Sequence, residues 1–178
     1  MTGGLPTALV LASGRGERFL ASGGSTHKLK ALLAGKAVLQ HVLDAVKASG
    51  LPFHVEDVGH PGMGDSIAAA VRAAPNPNGW LVLPGDLPLI QSATLLLLAH
   101  RLASCEVLVP VCNGLRGHPV GFSAVCREAL LQLTGAQGAA HILKSRHVTE
   151  IQVDDVGTIT DIDTVADLLN AERLITSR

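Results

Sequence analysis

The acid in Val82-Leu-Pro-Gly-Asp-Leu-Pro88 closes an apolar run and stands beside a glycine between two prolines, a good position from which to ligate a hard cation. Magnesium prefers oxygen ligands, commonly one or two carboxylates completed by substrate phosphates. A turn or helix-capping role for Asp86 explains an isolated Pro-Gly-Asp as well, and alone is the better explanation. A second candidate is Leu11-Ala-Ser-Gly-Arg-Gly-Glu-Arg-Phe19, which continues as a polar stretch to Lys28. Small residues let backbone approach a base or phosphate, and their amides can bind oxygen anions. Arg15, Arg18 and Lys28 add positive charge suited to a triphosphate. Phe19 stands where a dinucleotide fingerprint has its third glycine, and no Gly-Lys-Ser/Thr completes a Walker loop. On spacing alone, a flexible surface loop accounts for the segment equally well. The third candidate is Asp161-Ile-Asp-Thr164, where Asp163 could be a second metal carboxylate and Thr164 a helix cap. Acids before a helix are more often dipole partners.

These segments need elements to hold them. Ala8 to Leu11 reads as a buried strand, Val38 to Ala48 as a helix, and Phe53 to Val58 as an alternating strand. Asp65 to Ala73 reads as a helix starting near Gly64 or Asp65. Trp80 to Leu83 is a central strand, and Ser92 to Ala103 a helix with Ser92 as cap. Strands over Glu106 to Val111, Pro119 to Ser123 and Val148 to Val153, and helices over Ala139 to Lys144 and Thr164 to Leu174, complete the pattern. The alternation predicts one three-layer α/β domain over residues 1–178 with a mostly parallel, mixed sheet. Ligands of such sheets bind beyond the carboxyl ends of the strands, so 13–28 and 84–88 are expected to share one cleft.

Composition narrows the partners. With 178 residues, 47% hydrophobic and 16% charged, the chain suits a compact soluble domain with a sizeable core. A net charge of −1 and an aromatic content of 2% argue against nucleic acid and anionic membrane as partners. Neither a signal-peptide pattern nor a run of membrane-spanning length is visible. Cys105, Cys112 and Cys126 form no close pair and read as reduced thiols, so a cytoplasmic location is expected. His54 and His60 read as loop or surface histidines without further ligands nearby, and Lys36 as a turn lysine or a second phosphate contact.

Taken together and in this order, the motifs resemble the nucleotidyltransferases of the molybdenum cofactor pathway, of Rossmann-like nucleotide-diphospho-sugar transferase type. The matching residues are Leu11 to Gly14, Arg18, Lys28, Asp86 and Asp163, with Gly62-Met-Gly-Asp-Ser-Ile67 and Gly117-His-Pro-Val120. The resemblance implies that Gly14, Arg18 and Lys28 hold nucleotide phosphates, with Leu11, Ala12 and Ser13 beside the base and Ser66 in the pocket. It implies that Asp86 and Asp163 bind Mg2+ and that His118 lies on the acceptor side. Arg18, Lys28 and Asp86 would carry catalysis. The implied reaction moves CMP from CTP to the phosphate of a molybdopterin-type acceptor, releasing pyrophosphate, with a molybdoenzyme or its chaperone as a further partner. A GTP-dependent guanylyltransferase and a non-catalytic nucleotide- or cofactor-binding accessory protein are the alternatives. The sequence departs from the family in three places. The 19–27 loop is long, the stretch between residues 48 and 62 lacks about one supersecondary unit, and Ala136 and Ala140 replace an acid and an arginine.

Overall fold

Successive side chains of a strand leave opposite faces, and in the run Thr7–Leu11, strand β1, both faces are apolar and buried. Leu9 and Leu11 join one core, Ala8 and Val10 another. Such a strand needs helices on both sides. The computed structural model, which describes residues 4–76 and 78–177, supplies them. After β1 come α1 (Glu17–Ala21), the short pair β2 (Leu32–Leu33) and β3 (Lys36–Ala37), α2 (Val38–Ser49), β4 (Phe53–Glu56) and α3 (Met63–Ala73). The chain continues through β5 (Trp80–Pro84), α4 (Ser92–Leu102), β6 (Val107–Cys112), β7 (Leu115–Arg116) and β8 (Val120–Phe122). It ends with α5 (Arg127–Leu131), α6 (Ala140–Ser145), β9 (Val148–Gln152) and α7 (Val165–Thr176).

Seven strands form one mixed sheet in the order β4-β1-β5-β8-β6-β7, with β9 beside β6. Strand β1 runs parallel to both β4 and β5, and β6 parallel to β9; β8 is antiparallel to its two neighbours. On one face Leu9, Trp80, Val82 and Phe122 pack with Ile67 and Val71 of α3 and Leu130 of α5. On the other, Val10, Leu81 and Leu83 pack with Val42 and Val46 of α2 and Leu95 and Leu98 of α4. This is the three-layer α/β domain expected from the alternation. Among the described residues, no helix is long and apolar enough to cross a membrane.

Two helix starts differ from expectation, both for tertiary reasons. Helix α4 is capped by Gln91, not Ser92, and the Gln91 side chain makes no capping bond to the helix. Buried Asp155 accepts from the Gln91 amide (2.9 Å), which fixes the boundary from a distance in sequence. Helix α3 begins after Gly62, earlier than Gly64 or Asp65, because its first turn is pressed onto another segment. The Gly64 amide donates to the Gly135 carbonyl (2.8 Å), and Asp65 Oδ2 accepts from the Gly135 amide (3.0 Å).

That contact leaves no room for side chains. A Cβ at Gly64 would stand 2.7–2.9 Å from three backbone atoms of Thr134. Alanine would gain roughly 1 kcal/mol of helix propensity, but overpacking against backbone costs about 1–3 kcal/mol. Gly64→Ala should therefore lower the urea midpoint. Gly59→Ala, where a Cβ meets nothing within 4 Å, should leave it near wild type. Equal midpoints for the two variants would mean that the 134–136 turn yields freely.

Candidate active site

The carboxyl ends of β1 and β5 lie side by side, with Leu11 in register with Pro84. Beyond β1 the Gly85 amide donates to the Leu11 carbonyl (2.8 Å), so the two loops leave the sheet together. A Cβ at Gly85 would meet that same carbonyl at 2.9 Å. On its far side the Asp86 carbonyl accepts from the Ile162 amide (2.9 Å), which brings Asp163 beside Asp86. The capping box of Thr164 and Asp167 starts α7 and fixes the backbone there. The expected cap is therefore in place.

A third cluster supports the loop after β1. Phe19, Leu29, Leu33, Val38, Leu89, Ile162 and Ala171 are buried together, with Ala12 packed at the margin. Phe19, which disqualified the loop as a dinucleotide fingerprint, is its anchor: the ring is 2% exposed under the loop. Leu29 likewise pins the 3-10 turn Lys28–Lys30.

The result is a cleft of about 450 Å³. Leu11, Ser13, Gly14, Arg18, Lys28, Ser66, Asp86 and Asp163 all line it, so both loops share it as expected. Lys28 Nζ donates to Asp86 Oδ2 (2.7 Å) and to Asp163 Oδ1 (2.8 Å), and Arg18 Nη1 is 2.7 Å from Asp163 Oδ2. Burial works against the charged Lys28 amine. The pull of Asp86 and the hydrogen bonds to both carboxylates outweigh it, so its pKa is raised. At the other wall the Ser13 and Ser66 hydroxyls are 2.8 Å apart, and Ser66 also donates to the Gly62 carbonyl (3.2 Å).

The donor set fits a hard cation. Asp86 Oδ1 is buried without a hydrogen-bond partner, and two carboxylates converge on a single ammonium. Among the described residues no group of three or more His, Cys, Asp or Glu could hold a metal, so substrate oxygens would have to complete the shell. Asp161 belongs to the same field. Crowding by protein and the charges of Asp86 and Asp163 raise its pKa, although its side chain still meets water.

Other expected residues lie outside the cleft lining. Ala12 turns its backbone amide to the Glu56 carbonyl (2.8 Å). The His118 amide donates to Thr158 (2.9 Å). Crowding lowers the pKa of the His118 ring against the pull of Asp86 and Asp161, while the ring keeps contact with water. Gly135 is bound to the start of α3, and Ala136 and Ala140 are exposed. Lys36 is paired with Asp44 at 2.6 Å, the turn role.

Sequence reading missed His60, which lines the cleft. His60 and His54 each donate from Nε2 to Glu56, at 3.0 and 3.2 Å. The available signal was Glu56 itself, an acid at the end of an alternating strand and 6% exposed.

Residues 45–151 match the family model described as a MobA-like NTP transferase domain. The chain belongs to that family. The match includes Ser66, Asp86 and His118 but neither the Leu11–Lys28 loop nor Asp163, which the geometry above joins to it. The bifunctional protein GlmU of Staphylococcus saprophyticus is 31% identical over 146 residues, covering 68% of this chain and 31% of that protein. This MobA-like chain thus spans about a third of the length of the curated relatives it matches. The structure of Rv0371c from Mycobacterium tuberculosis superposes with a TM-score of 0.81 at 24% identity, over 97% of this chain and 100% of that one. The same protein in complex with manganese gives 0.76 at 23%, over 95% and 98%. Molybdopterin-guanine dinucleotide biosynthesis protein A of Archaeoglobus fulgidus gives 0.69 at 20%, over 97% and 100%. The fold is shared with solved nucleotidyltransferases, and by its family model this MobA-like chain is a nucleotidyltransferase.

Glu56 generates a pH prediction. Burial alone would push its carboxyl up, but the hydrogen bonds from His60 and His54 and their charges outweigh burial, and its pKa is lowered. A lowered folded pKa contributes stability above the unfolded value and loses it as pH falls through the folded one. In urea titrations from neutral pH downward, the stability gap between wild type and Glu56→Gln should shrink below the ordinary carboxylate range. A gap constant with pH would show that Glu56 is not ionised by this pairing.

Proposed function

We propose that the protein moves CMP from CTP to the phosphate of molybdopterin or the molybdenum cofactor and releases pyrophosphate. The observation that carries this reading is Lys28 held between Asp86 and Asp163 at the mouth of the glycine loop. One oxygen of the acceptor phosphate attacks the α-phosphorus in line. The new P–O bond forms as the bond to the β-phosphate bridging oxygen breaks, and that oxygen leaves with pyrophosphate. The acceptor phosphate is already ionised, so no general base is needed. In the free protein Lys28 and Arg18 neutralise the carboxylates. With a triphosphate bound they turn to phosphate oxygens, where charge-assisted bonds form. Gly14 admits the phosphates to the backbone, and Ser13 and Ser66 line the nucleoside end.

Asp86 and Asp163 would hold Mg2+ or another divalent cation, which when bound offsets phosphate charge and orients the triphosphate. The manganese complex of Rv0371c supports divalent metal use. The cytidylyl reading is supported by the Gly117-His118-Pro119 match. Location in the cytoplasm and delivery to a molybdoenzyme or its chaperone belong to the same proposal.

A thermal-shift screen of CTP, GTP, UTP and ATP with and without Mg2+ tests the nucleotide. A larger shift with GTP would move the assignment to guanylyl transfer, and no shift with any of the four would reject the triphosphate site. Pyrophosphate release with molybdopterin tests the acceptor, and a protein that binds CTP but never turns over is the non-catalytic accessory. Asp86→Asn should abolish turnover while keeping the fold, as seen by unchanged circular dichroism. Near-normal turnover at saturating Mg2+ would remove Asp86 from the metal site. By calorimetry, Lys28→Ala and Arg18→Ala should each weaken binding of the triphosphate far more than of the nucleoside. Equal losses would place these cations away from the phosphates.

A further inference from the structure

We infer that His27 is a positioning residue: its neutral Nε2–H ring ties the glycine loop to the turn that carries Lys28. The inference rests on the reading of the cleft as a triphosphate site. Both ring nitrogens are assigned by partners that have no choice of role. The Leu29 amide can only donate, and it lies 3.3 Å from Nδ1. The Gly14 carbonyl can only accept, and it lies 2.6 Å from Nε2. Nδ1 therefore carries the lone pair and Nε2 the hydrogen. The alternative neutral tautomer would face donor to donor and acceptor to acceptor.

The backbone of the same residue organises the other side of the joint. The His27 carbonyl accepts from the Lys30 and Ala31 amides at 2.9 and 3.1 Å, which closes the 3-10 turn behind Lys28. Its ring lies against Gly16, where a Cβ would stand 3.3 Å from Cδ2 and Nε2 and 3.5 Å from Cγ of Lys28. Gly16 has φ of +67°, a conformation open to glycine. One side chain thus touches Gly14, Gly16 and Leu29 at once. Between Gly14 and His27 the chain makes its long exposed excursion through Ser22, Gly23, Ser25 and Thr26. Without the ring, the loop that carries Gly14 and the turn that carries Lys28 would lose their direct hydrogen bond there, leaving the Phe19 and Leu29 anchors beneath and the ion pairs of Arg18 and Lys28 with the shared Asp163. The added length of the excursion does not loosen the phosphate end of the cleft because His27 closes it.

Three variants separate this role from a merely structural one. Asn at position 27 keeps a side-chain oxygen able to accept from the Leu29 amide, as cap residues do, but is too short to reach Gly14. Gln reaches further and offers an amide donor to Gly14. His27→Asn should keep a thermal midpoint near wild type yet bind CTP or GTP, whichever the screen selects, roughly three- to tenfold more weakly, the worth of about one hydrogen bond. Amide exchange over 14–16 should quicken. His27→Gln should recover part of the affinity, and His27→Ala should lose both affinity and thermal midpoint. In 15N spectra of the free protein, the His27 ring should show the Nε2–H tautomer. An Nδ1–H tautomer, or Asn and wild-type proteins with equal triphosphate affinity and equal exchange, would overturn the inference. Wild type that binds no triphosphate refutes the nucleotide reading and with it the purpose of the tie. The ring tautomer and the exchange rates report on the tie itself in either case.

Discussion

Two carboxylates cannot be brought together in a half-buried cleft unless something positive stands between them, and here Lys28 does. Coulomb repulsion between Asp86 and Asp163 would otherwise oppose the packing of the 155–163 segment against the loop after β5. The backbone shows how closely those segments are fitted. Ile162 donates to Asp86, and a Cβ at Gly157 would fall 2.2 Å from the Leu89 carbonyl. Asp155 holds the same segment from its other end by accepting from Gln91 and Gly157. The geometry of the carboxylate pair is therefore set by backbone, and its charge is balanced by Lys28 between the two acids and Arg18 on Asp163. On the proposed reaction, this division lets the cations turn to phosphate while the acids stay in place.

Holding the lysine is a separate task, and the third apolar cluster performs it. Phe19 and Leu29 stand on either side of a Gly/Ser-rich excursion and are both buried with Ile162 and Ala171. The excursion can be long because its two ends are independently anchored. A Cβ at Gly24 would fall 2.4 Å from the Phe19 ring, so the chain folds back tightly over its own anchor. The cleft loop is thus a supported structure with an exposed tip.

Much of this was legible in the sequence, and what was not shares a cause. Strands at Ala8–Leu11 and Trp80–Leu83, and helices at Val38–Ala48 and Thr164–Leu174, were readable because apolar periodicity reports burial on one or both faces. The convergence of Asp86 with the loop after β1 followed from the rule for strand ends. Helix α1, the turn at Lys28–Lys30 and strands β2 and β3 were not readable, because each has five residues or fewer and presents too little of any period. Helix α5 in Arg127–Leu131 failed for the same reason. Ser92 misled because a good capping residue next to a tertiary capping partner loses to it. Phe19 was read as a flaw in a motif, when its burial is what shapes the loop.

The short stretch between α2 and α3 poses a different problem, and Glu56 is its solution. Only β4 fits there, and it pairs with β1 alone among the described residues, so it stands at the sheet edge. An exposed edge invites pairing with other chains unless it is short or charged. β4 has four residues and carries His54 and Glu56. A carboxylate 6% exposed is costly unless its oxygens are satisfied. Both are satisfied by histidines, one two residues before it and the other four residues after. The second bond bends the chain back directly after the strand, so His60 and Pro61 reach the cleft and Gly62 can begin α3 beside Gly135. A buried acid with two imidazoles makes the turn in a few residues. The wall of the cleft that holds Ser66 stands on that turn.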